Sequence, residues 1–170
     1  VQRSAFPNAY ADDEPAATRL YTTLSGMNAA AALSASCPGV GADAWTALPA
    51  GFTLPADTTP QAATAIEWAL QQLGTPYHYG GDCTAAQSGD PARQCDCSSL
   101  TQQAYAAAGV ALPRTAAEQS RVGISVPLGQ LRPGDLLFSA GALGTVTNPG
   151  HVALYLGEGL VVEAPHTGAD

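Results

Sequence analysis

The chain has 170 residues, of which 46% are hydrophobic and 12% are charged, and its formal net charge is −8. This length is sufficient for one well-packed domain and an additional segment. All six basic residues are arginines and they form no run, which argues against nucleic acid and anionic membrane surfaces as partners. No uninterrupted apolar stretch of about 18 residues occurs, so we expect no membrane insertion.

The cysteines and histidines do not have the spacing of a metal site. Cys95 and Cys97 form a C-x-C pair, whereas zinc knuckles and thioredoxin-like sites use C-x-x-C. The three histidines, His78, His151 and His166, are far apart in the sequence, and a structural zinc site needs ligands paired at short spacings. We therefore expect no metal and no cofactor.

Residues 1–58 are interpreted as an N-terminal helical segment followed by a linker. Helix-forming residues over 16–35 follow an acidic, proline-containing start, which predicts one amphipathic helix. Prolines and glycines then dominate 37–60, and Trp45 and Phe52 are the side chains expected to hold this linker on the following domain. An independent functional module is the alternative reading of the segment.

Three helices are predicted in the second part of the chain, residues 59–170. The first begins after Thr59, a capping residue that is followed by a proline. The second covers about 97–108 and ends at a glycine. Thr115 and Glu118 form a capping-box pattern that predicts a short third helix.

Strands follow these helices. Residues 136–138 read as a buried strand, and 151–156 and 160–164 read as a hairpin around the turn 157–159. Helices that precede an antiparallel sheet indicate an α+β fold and not alternating βαβ units.

The hairpin places a histidine and a carboxylate on the same face. Apolar residues alternate along both strands, and this fixes which face turns to the core. His151 and Glu163 then share the opposite face as direct or diagonal neighbours. A carboxylate beside an imidazole can fix its tautomer and stabilise its protonated form.

Cys97 lies at the start of the second predicted helix, where the partial positive charge of the helix terminus favours a thiolate. A cysteine at a helix start and a histidine on a distant strand are typical of papain-like enzymes. Spacing alone does not bring Cys97 and His151 together, and a small buried hydrophobe is the alternative reading of Cys97.

Six short motifs follow one another in the second part of the chain: Leu73-Gly74-Thr75-Pro76-Tyr77 with Gly80-Gly81, Asp96-Cys97-Ser98-Ser99-Leu100, Leu112-Pro113-Arg114-Thr115, Leu131-Arg132-Pro133-Gly134-Asp135-Leu136, His151-Val152-Ala153-Leu154-Tyr155-Leu156-Gly157 and Glu163-Ala164-Pro165. With these motifs in this order, the residues from Gln61 to the end resemble the NlpC/P60 family. The resemblance implies a papain-like α+β fold and cleavage of peptidoglycan stem peptides, with the D-γ-glutamyl–diamino acid bond as the expected target. It also implies a secreted or cell-wall-associated protein, expected to be monomeric.

The resemblance assigns roles to three catalytic positions. Cys97 matches the nucleophile, and its backbone N–H is the natural donor to an oxyanion. His151 matches the base. Glu163 matches the third polar position, which orients the base, and His166 is the alternative for this role.

Three further residues are expected to bind substrate. Tyr77 matches an aromatic residue near the family's nucleophile. Asp96 and Ser98 flank Cys97 and are expected to bind the free amine or the diamino acid of the stem peptide. Two alternatives remain open at this point, a wall amidase of the CHAP type and a non-catalytic peptidoglycan-binding module.

The sequence departs from the family pattern in three places. Ser99 replaces a glycine and is expected to narrow the space over the nucleophile. The loop 82–94 is longer than is common. The chain ends at Asp170, where family members continue with further strand, so a truncated C-terminus is one expectation.

An exported domain is expected to contain a disulfide, because exposed thiols pair under oxidising conditions. If Cys97 stays reduced, the favoured pair is Cys83 with Cys95, which bracket the long polar loop. The alternative joins Cys37 to one of these two cysteines.

Overall fold

A computed structural model of the chain describes residues 2–3 and 48–166. The helix predicted for 16–35, and also Cys37 and Trp45, lie outside the described residues. No helix in the described part of the chain is long and apolar enough to cross a membrane.

Within residues 48–166, three α-helices precede the three strands β2, β3 and β4 described below. They are α1 (Pro60–Leu70), α2 (Cys97–Ala107) and α3 (Ala116–Gln119), with 3-10 turns at Ala86–Ser88, Pro91–Arg93 and Leu128–Gln130. The Thr59 side chain accepts a hydrogen bond from the Ala62 N–H and so caps α1 as predicted. The three predicted helices are therefore present, and the first and third follow their predicted capping residues, Thr59 and Thr115.

In the part of the chain that the structure describes, the sheet has four strands in the order β1 (Gln2–Arg3), β2 (Leu136–Ser139), β3 (His151–Gly157) and β4 (Leu160–Val162). β2, β3 and β4 are antiparallel, as the sequence predicts. β1 pairs with β2 in parallel, which makes the sheet mixed. Two residues are too few to give an alternating pattern, so the sequence carried no signal for β1.

The β3–β4 hairpin has the predicted face and a shorter second strand. Leu154 pairs with Val162, and a register shift near the turn pairs Gly157 with Leu160. Glu158 and Gly159 both have positive φ, as a tight two-residue hairpin turn requires. β4 ends at Val162 and not at the predicted residue 164, so Glu163 extends from the end of the strand.

Helices α1 and α2 pack against the sheet through one hydrophobic core. Its fully buried side chains come from α1 and β3 and include Ile66, Leu70, Val152, Leu154 and Leu156. Leu48 and Phe52 from the linker belong to the same cluster, and Phe52 is thus held on the domain as predicted. Burial of these apolar faces fixes the helix that carries Cys97 against the strand that carries His151. The predicted α+β architecture, with helices packed on a small sheet, is confirmed.

Candidate active site

Cys97 is the first residue of α2, and two neighbours hold it there. Asp96 is the capping residue, and its carboxylate accepts a hydrogen bond of 2.7 Å from the Ser99 N–H. The Ser99 hydroxyl accepts in return from the Asp96 N–H at 2.9 Å, which completes a capping box. Ser99 is fully buried and turned toward Asp96. The expectation that Ser99 narrows the space over the nucleophile is wrong, because this hydrogen bond directs its side chain backward.

His151 and Glu163 are in contact. The Nε2 of His151, the first residue of β3, lies 2.7 Å from the Oε2 of Glu163 just beyond β4. The strand register makes the two residues diagonal neighbours on one face, one of the two arrangements expected from the alternating apolar pattern. This contact occupies Nε2 and leaves Nδ1 as the ring nitrogen available to another group.

Cys97 adjoins His151, and the interaction between the two side chains contributes to the pKa of the imidazole. Burial alone would lower the pKa of His151. Hydrogen bonds to Cys97 and Glu163, together with the negative charge on these two groups, outweigh burial and raise the pKa of His151 from 6.5 to about 9. The thiol is also 3.9 Å from the carbonyl oxygen of Gly150. Cys97, His151 and Glu163 therefore form one connected group that can hold a thiolate beside an imidazolium.

Tyr77 lies next to this group, on the segment that leads into the nucleophile. It pairs with Cys95 as an isolated β-bridge. Burial, and then the negative charges of Cys97 and Asp96, raise the pKa of Tyr77 to about 12. The hydroxyl of Tyr77 therefore stays protonated at neutral pH and can donate a hydrogen bond.

Asp96 is the nearly buried end of an ion pair with Arg114. The two terminal nitrogens of Arg114 each donate to one carboxylate oxygen, at 3.0 and 2.7 Å. The Gly80 N–H donates to the same carboxylate at 3.1 Å. Burial would raise the pKa of Asp96, but the bonds from Arg114 and Ser99 hold the pKa below its usual value. The Asp96 carboxylate therefore accepts hydrogen bonds from Arg114, Ser99 and Gly80.

Arg114 also contacts Ser98, and the sequence analysis assigned it no role. One of its nitrogens donates to the Ser98 hydroxyl at 3.0 Å and the other to the Gly81 carbonyl at 2.7 Å. The guanidinium therefore holds the residues on both sides of Cys97. Arg114 lies in one of the motifs quoted above, but sequence spacing cannot reveal which carboxylate it pairs with.

A disulfide joins Cys83 and Cys95, the pair favoured from the sequence. Both residues are buried in the hydrophobic core. Cys97 is a free cysteine and is also buried, with 7% of its surface exposed. The disulfide thus anchors the loop two residues before the nucleophile without involving its thiol.

A depression with an empty volume of about 370 Å³ opens beside Tyr77 and Glu163. Its other walls come from the end of α1, from α2 and from the segment after β4; they are Ala69, Gln72, Leu73, Thr75, Cys95, Leu100, Val162, Ala164 and Pro165. Within the described residues, no three His, Cys, Asp or Glu side chains are grouped so that they could hold a metal ion.

The family model of NlpC/P60 matches residues 74–170, which is more than half of the chain. The chain belongs to the NlpC/P60 family. The match contains Cys97, His151 and Glu163, so the whole connected group lies inside the NlpC/P60 domain.

Relatives of this NlpC/P60 domain include peptidases. The peptidoglycan endopeptidase RipA of Mycolicibacterium smegmatis is 33% identical over 130 residues, which cover 71% of this chain and 25% of RipA. The gamma-D-glutamyl-L-lysine dipeptidyl-peptidase of Bacillus cereus is 34% identical over 107 residues, covering 63% of this chain and 29% of that enzyme. The chain therefore spans between a quarter and a third of the length of these two relatives.

Solved structures of the family include a protein without catalytic activity. RipD of Mycobacterium tuberculosis is described as a non-catalytic NlpC/p60 domain protein adapted to peptidoglycan binding. It matches with a TM-score of 0.53 and 32% identity, over 64% of this chain and 84% of its own. The family therefore contains both hydrolases and binding modules.

Proposed function

We propose that this protein is a cysteine endopeptidase that cleaves the stem peptides of peptidoglycan. The observation that carries the proposal is the connected group of Cys97 at a helix start, His151 beside it and Glu163 at 2.7 Å from the imidazole. A thiolate at a helix N-terminus beside an imidazolium is the resting state that nucleophilic thiol catalysis needs. The family membership adds peptidoglycan as the substrate class.

The reaction follows from the roles of these groups. The thiolate of Cys97 attacks the carbonyl carbon of the scissile peptide bond, and the backbone N–H of Cys97 donates to the oxyanion that forms. His151 gives its proton to the leaving amine, so that the C–N bond breaks and a thioester remains. His151 then takes a proton from water, and the hydroxide attacks the thioester. The acid is released, the thiolate reforms and His151 is again protonated.

Glu163 acts on the imidazole throughout this cycle. Its carboxylate contacts Nε2 and leaves Nδ1 directed to the thiol and the leaving group. Its negative charge also stabilises the imidazolium. We assign Glu163 the role of orienting group.

Tyr77, Asp96 and Ser98 are proposed to bind the stem peptide beside the scissile bond, with the free amine or the diamino acid as the group that Asp96 and Ser98 bind. Asp96 and Ser98 are each only 6% exposed, so the substrate would contact only the small exposed part of these two residues. Tyr77 offers a protonated hydroxyl next to Cys97. The name of the Bacillus cereus relative contains a γ-D-glutamyl linkage, and this supports the D-γ-glutamyl–diamino acid bond as the scissile bond.

The substrate also sets the proposed location. Wall peptides lie outside the cytoplasmic membrane, so we propose a secreted or wall-associated protein that acts as a monomer. A disulfide near the site fits an oxidising compartment.

The test is a digest of purified peptidoglycan, comparing the chain with Cys97→Ala and analysing the fragments by mass spectrometry. The expected products are glycan-linked L-Ala–D-Glu and peptides that begin with the diamino acid. Release of whole stem peptides would instead identify an amidase. A digest identical to that of Cys97→Ala would contradict the endopeptidase proposal.

A non-catalytic peptidoglycan-binding module is the second candidate. The similarity to RipD favours it, since that protein is described as an NlpC/p60 domain adapted to binding. Binding to insoluble peptidoglycan without any new fragments, equal for the chain and for Cys97→Ala, is the result that would support this candidate.

A further inference from the structure

Gln119 is a fully buried polar residue that the catalytic proposal does not use. It is the last residue of α3, and none of its surface is exposed. A buried amide that lacked partners would cost free energy, so its hydrogen bonds determine what it does in this position.

The Gln119 amide makes three hydrogen bonds. Its Nε2 donates to the carbonyl oxygens of Ser98 and Pro113, at 2.9 Å each. Its Oε1 accepts from the Thr101 hydroxyl at 2.8 Å. Carbonyl oxygens only accept, so the two carbonyls fix which end of the amide carries the nitrogen. Both protons of the nitrogen are therefore used, and the side chain has one defined orientation.

These bonds tie α3 to the start of α2 by two routes. The direct route is the bond to the carbonyl of Ser98, the residue after Cys97. The second route runs through Pro113, which is bonded to Gln119 and precedes Arg114 in the chain. Arg114 in turn holds the side chains of Asp96 and Ser98. One amide therefore supports the backbone of Ser98 directly and, through Arg114, the side chains on both sides of the nucleophile.

We propose that Gln119 is a positioning residue that sets the direction of the Cys97 thiol and backbone N–H. This inference rests on the proposed cysteine peptidase function. Thr101, one turn after Cys97, completes the support because its hydroxyl holds the amide in place. Displacing reacting atoms by about 1 Å can lower a rate about 100-fold. Because Gln119 supports the first turn of α2, it affects catalysis through the position of Cys97 and not by contacting the substrate.

The test is Gln119→Met, which keeps the side-chain length and removes all three hydrogen bonds. We expect kcat for wall cleavage to fall by about 10- to 100-fold while KM changes less than about threefold. The alkylation rate of Cys97 by iodoacetamide at neutral pH should fall as well, since the thiol loses its orientation toward His151. Alkylation measures this orientation without needing a substrate.

The matched control is Tyr105→Phe. The Tyr105 hydroxyl donates to the Gly134 carbonyl near the other end of α2, so this variant also removes a hydrogen bond from the same helix. We expect it to lower the thermal midpoint and to leave kcat and Cys97 alkylation unchanged. Thr101→Ser retains a hydroxyl for Gln119 and should keep most of the activity, whereas Thr101→Val should resemble Gln119→Met.

Two results would overturn the proposal: wild-type kcat and alkylation in Gln119→Met, or equal losses in Gln119→Met and Tyr105→Phe. If Gln119→Met does not fold, the comparison of Thr101→Val with Thr101→Ser decides, and equal rates in those two variants overturn it. If the wild-type chain does not cleave peptidoglycan but alkylation slows only in Gln119→Met, the positioning role stands and the peptidase proposal fails.

Discussion

The Oε2 of Glu163 lies 2.7 Å from the Nε2 of His151, although Glu163 is outside the strand that leads to it. Because β4 ends one residue earlier, the position of the carboxylate depends on the hairpin register and on this single contact. The side chain of Glu163 is 37% exposed and that of His151 is 18% exposed, so the pair has solvent on one side only. The orientation of the imidazole therefore depends on a partner at the rim of the site.

Replacement of the nucleophile is the first prediction. We expect Cys97→Ala to lower wall cleavage by at least about 10⁴-fold, because no other group supplies the attacking atom. The thiol lies 3.9 Å from a carbonyl oxygen and otherwise interacts with His151 in the site itself, so the fold should remain intact without it. Fragment release and the thermal midpoint are the two measurements. Full cleavage by this variant would remove the cysteine peptidase mechanism.

The second prediction ranks the two partners of Cys97. His151→Ala should reduce kcat nearly as far as Cys97→Ala, whereas Glu163→Ala should be milder by about tenfold or more, because an orienting group contributes less than the base. His78→Ala and Glu158→Ala are the controls, since both residues are exposed. If Glu163→Ala were silent and His166→Ala inactive, the assignment of the orienting group would be wrong.

The third prediction concerns pH. The pKa of His151 is raised to about 9, so we expect the rate to fall on the alkaline side near pH 9, as the imidazolium is lost. Protonation of the thiolate gives the acid side of a bell-shaped profile. Since Glu163 is one cause of the raised pKa, Glu163→Ala should move the alkaline limb to lower pH. A kcat/KM profile measures both limbs, and a rate that keeps rising above pH 9 would contradict the ion-pair mechanism.

The same shift has a consequence for stability. The pKa of His151 in the folded protein, about 9, is above its ordinary value of 6.5. Its contribution to the free energy of unfolding is therefore complete below pH 6.5 and is lost as pH rises through about 9. The difference in unfolding free energy between wild type and His151→Ala should shrink over this interval.

The fourth prediction removes the partner of Asp96. We expect Arg114→Ala to lower the free energy of unfolding by about 2 kcal/mol, because the carboxylate stays nearly buried without its cation. This loss of free energy is smaller than the loss expected for a wholly buried ion pair, because the Arg114 side chain is 37% exposed. Arg114→Lys should recover only part of the loss, since an ammonium cannot bridge both oxygens.

Urea denaturation measures this loss, with Arg132→Ala as the control at an exposed arginine. The pKa of Asp96 is depressed in the folded state, so the contribution of the pair is present above about pH 3.8 and is lost as pH falls below that. Equal stabilities for Arg114→Ala and Arg132→Ala would mean that the ion pair contributes nothing.

The fifth prediction concerns the disulfide. A peptide map without reductant should give a fragment that joins Cys83 to Cys95. Replacing both with alanine should lower the free energy of unfolding by roughly 3 kcal/mol, the size expected for a loop with a sequence separation of 12. It should also lower kcat, because the Cys95 carbonyl accepts from the His78 N–H beside the active site. A fragment that joins Cys37 to either loop cysteine would contradict this pairing.

Local patterns predicted the elements that carry the site. The capping signals at Thr59 and Thr115 act within three residues, and both side chains cap their helices in the structure. The face shared by His151 and Glu163 followed from the two-residue period of a strand. These features depend on neighbours in the sequence, so they can be read from it.

Interactions between distant segments could not be read in the same way. Arg114 and Asp96 are 18 residues apart, and Gln119 and Ser98 are 21 apart. A sequence pattern does not reveal which polar group a side chain will meet across such separations. The extent of β4 was also overestimated, because an apolar alternation continues past the last paired residue. The Ser99 side chain was expected over the nucleophile because its bond to the Asp96 backbone has no signature of its own.

The spacing of Cys83, Cys95 and Cys97 has a consequence for how the protein reaches its native state. In an unfolded chain, the possible partners of Cys83 include, besides Cys37, two thiols separated by one residue, Cys95 and Cys97. The folded domain distinguishes them, because Cys95 is in the core beside Cys83 and Cys97 begins a helix. Thiol–disulfide exchange must therefore sort the pairs while the helix is forming. A chain oxidised too early with Cys97 would be trapped without its nucleophile, so recovery of active protein should depend on a redox buffer or a disulfide isomerase.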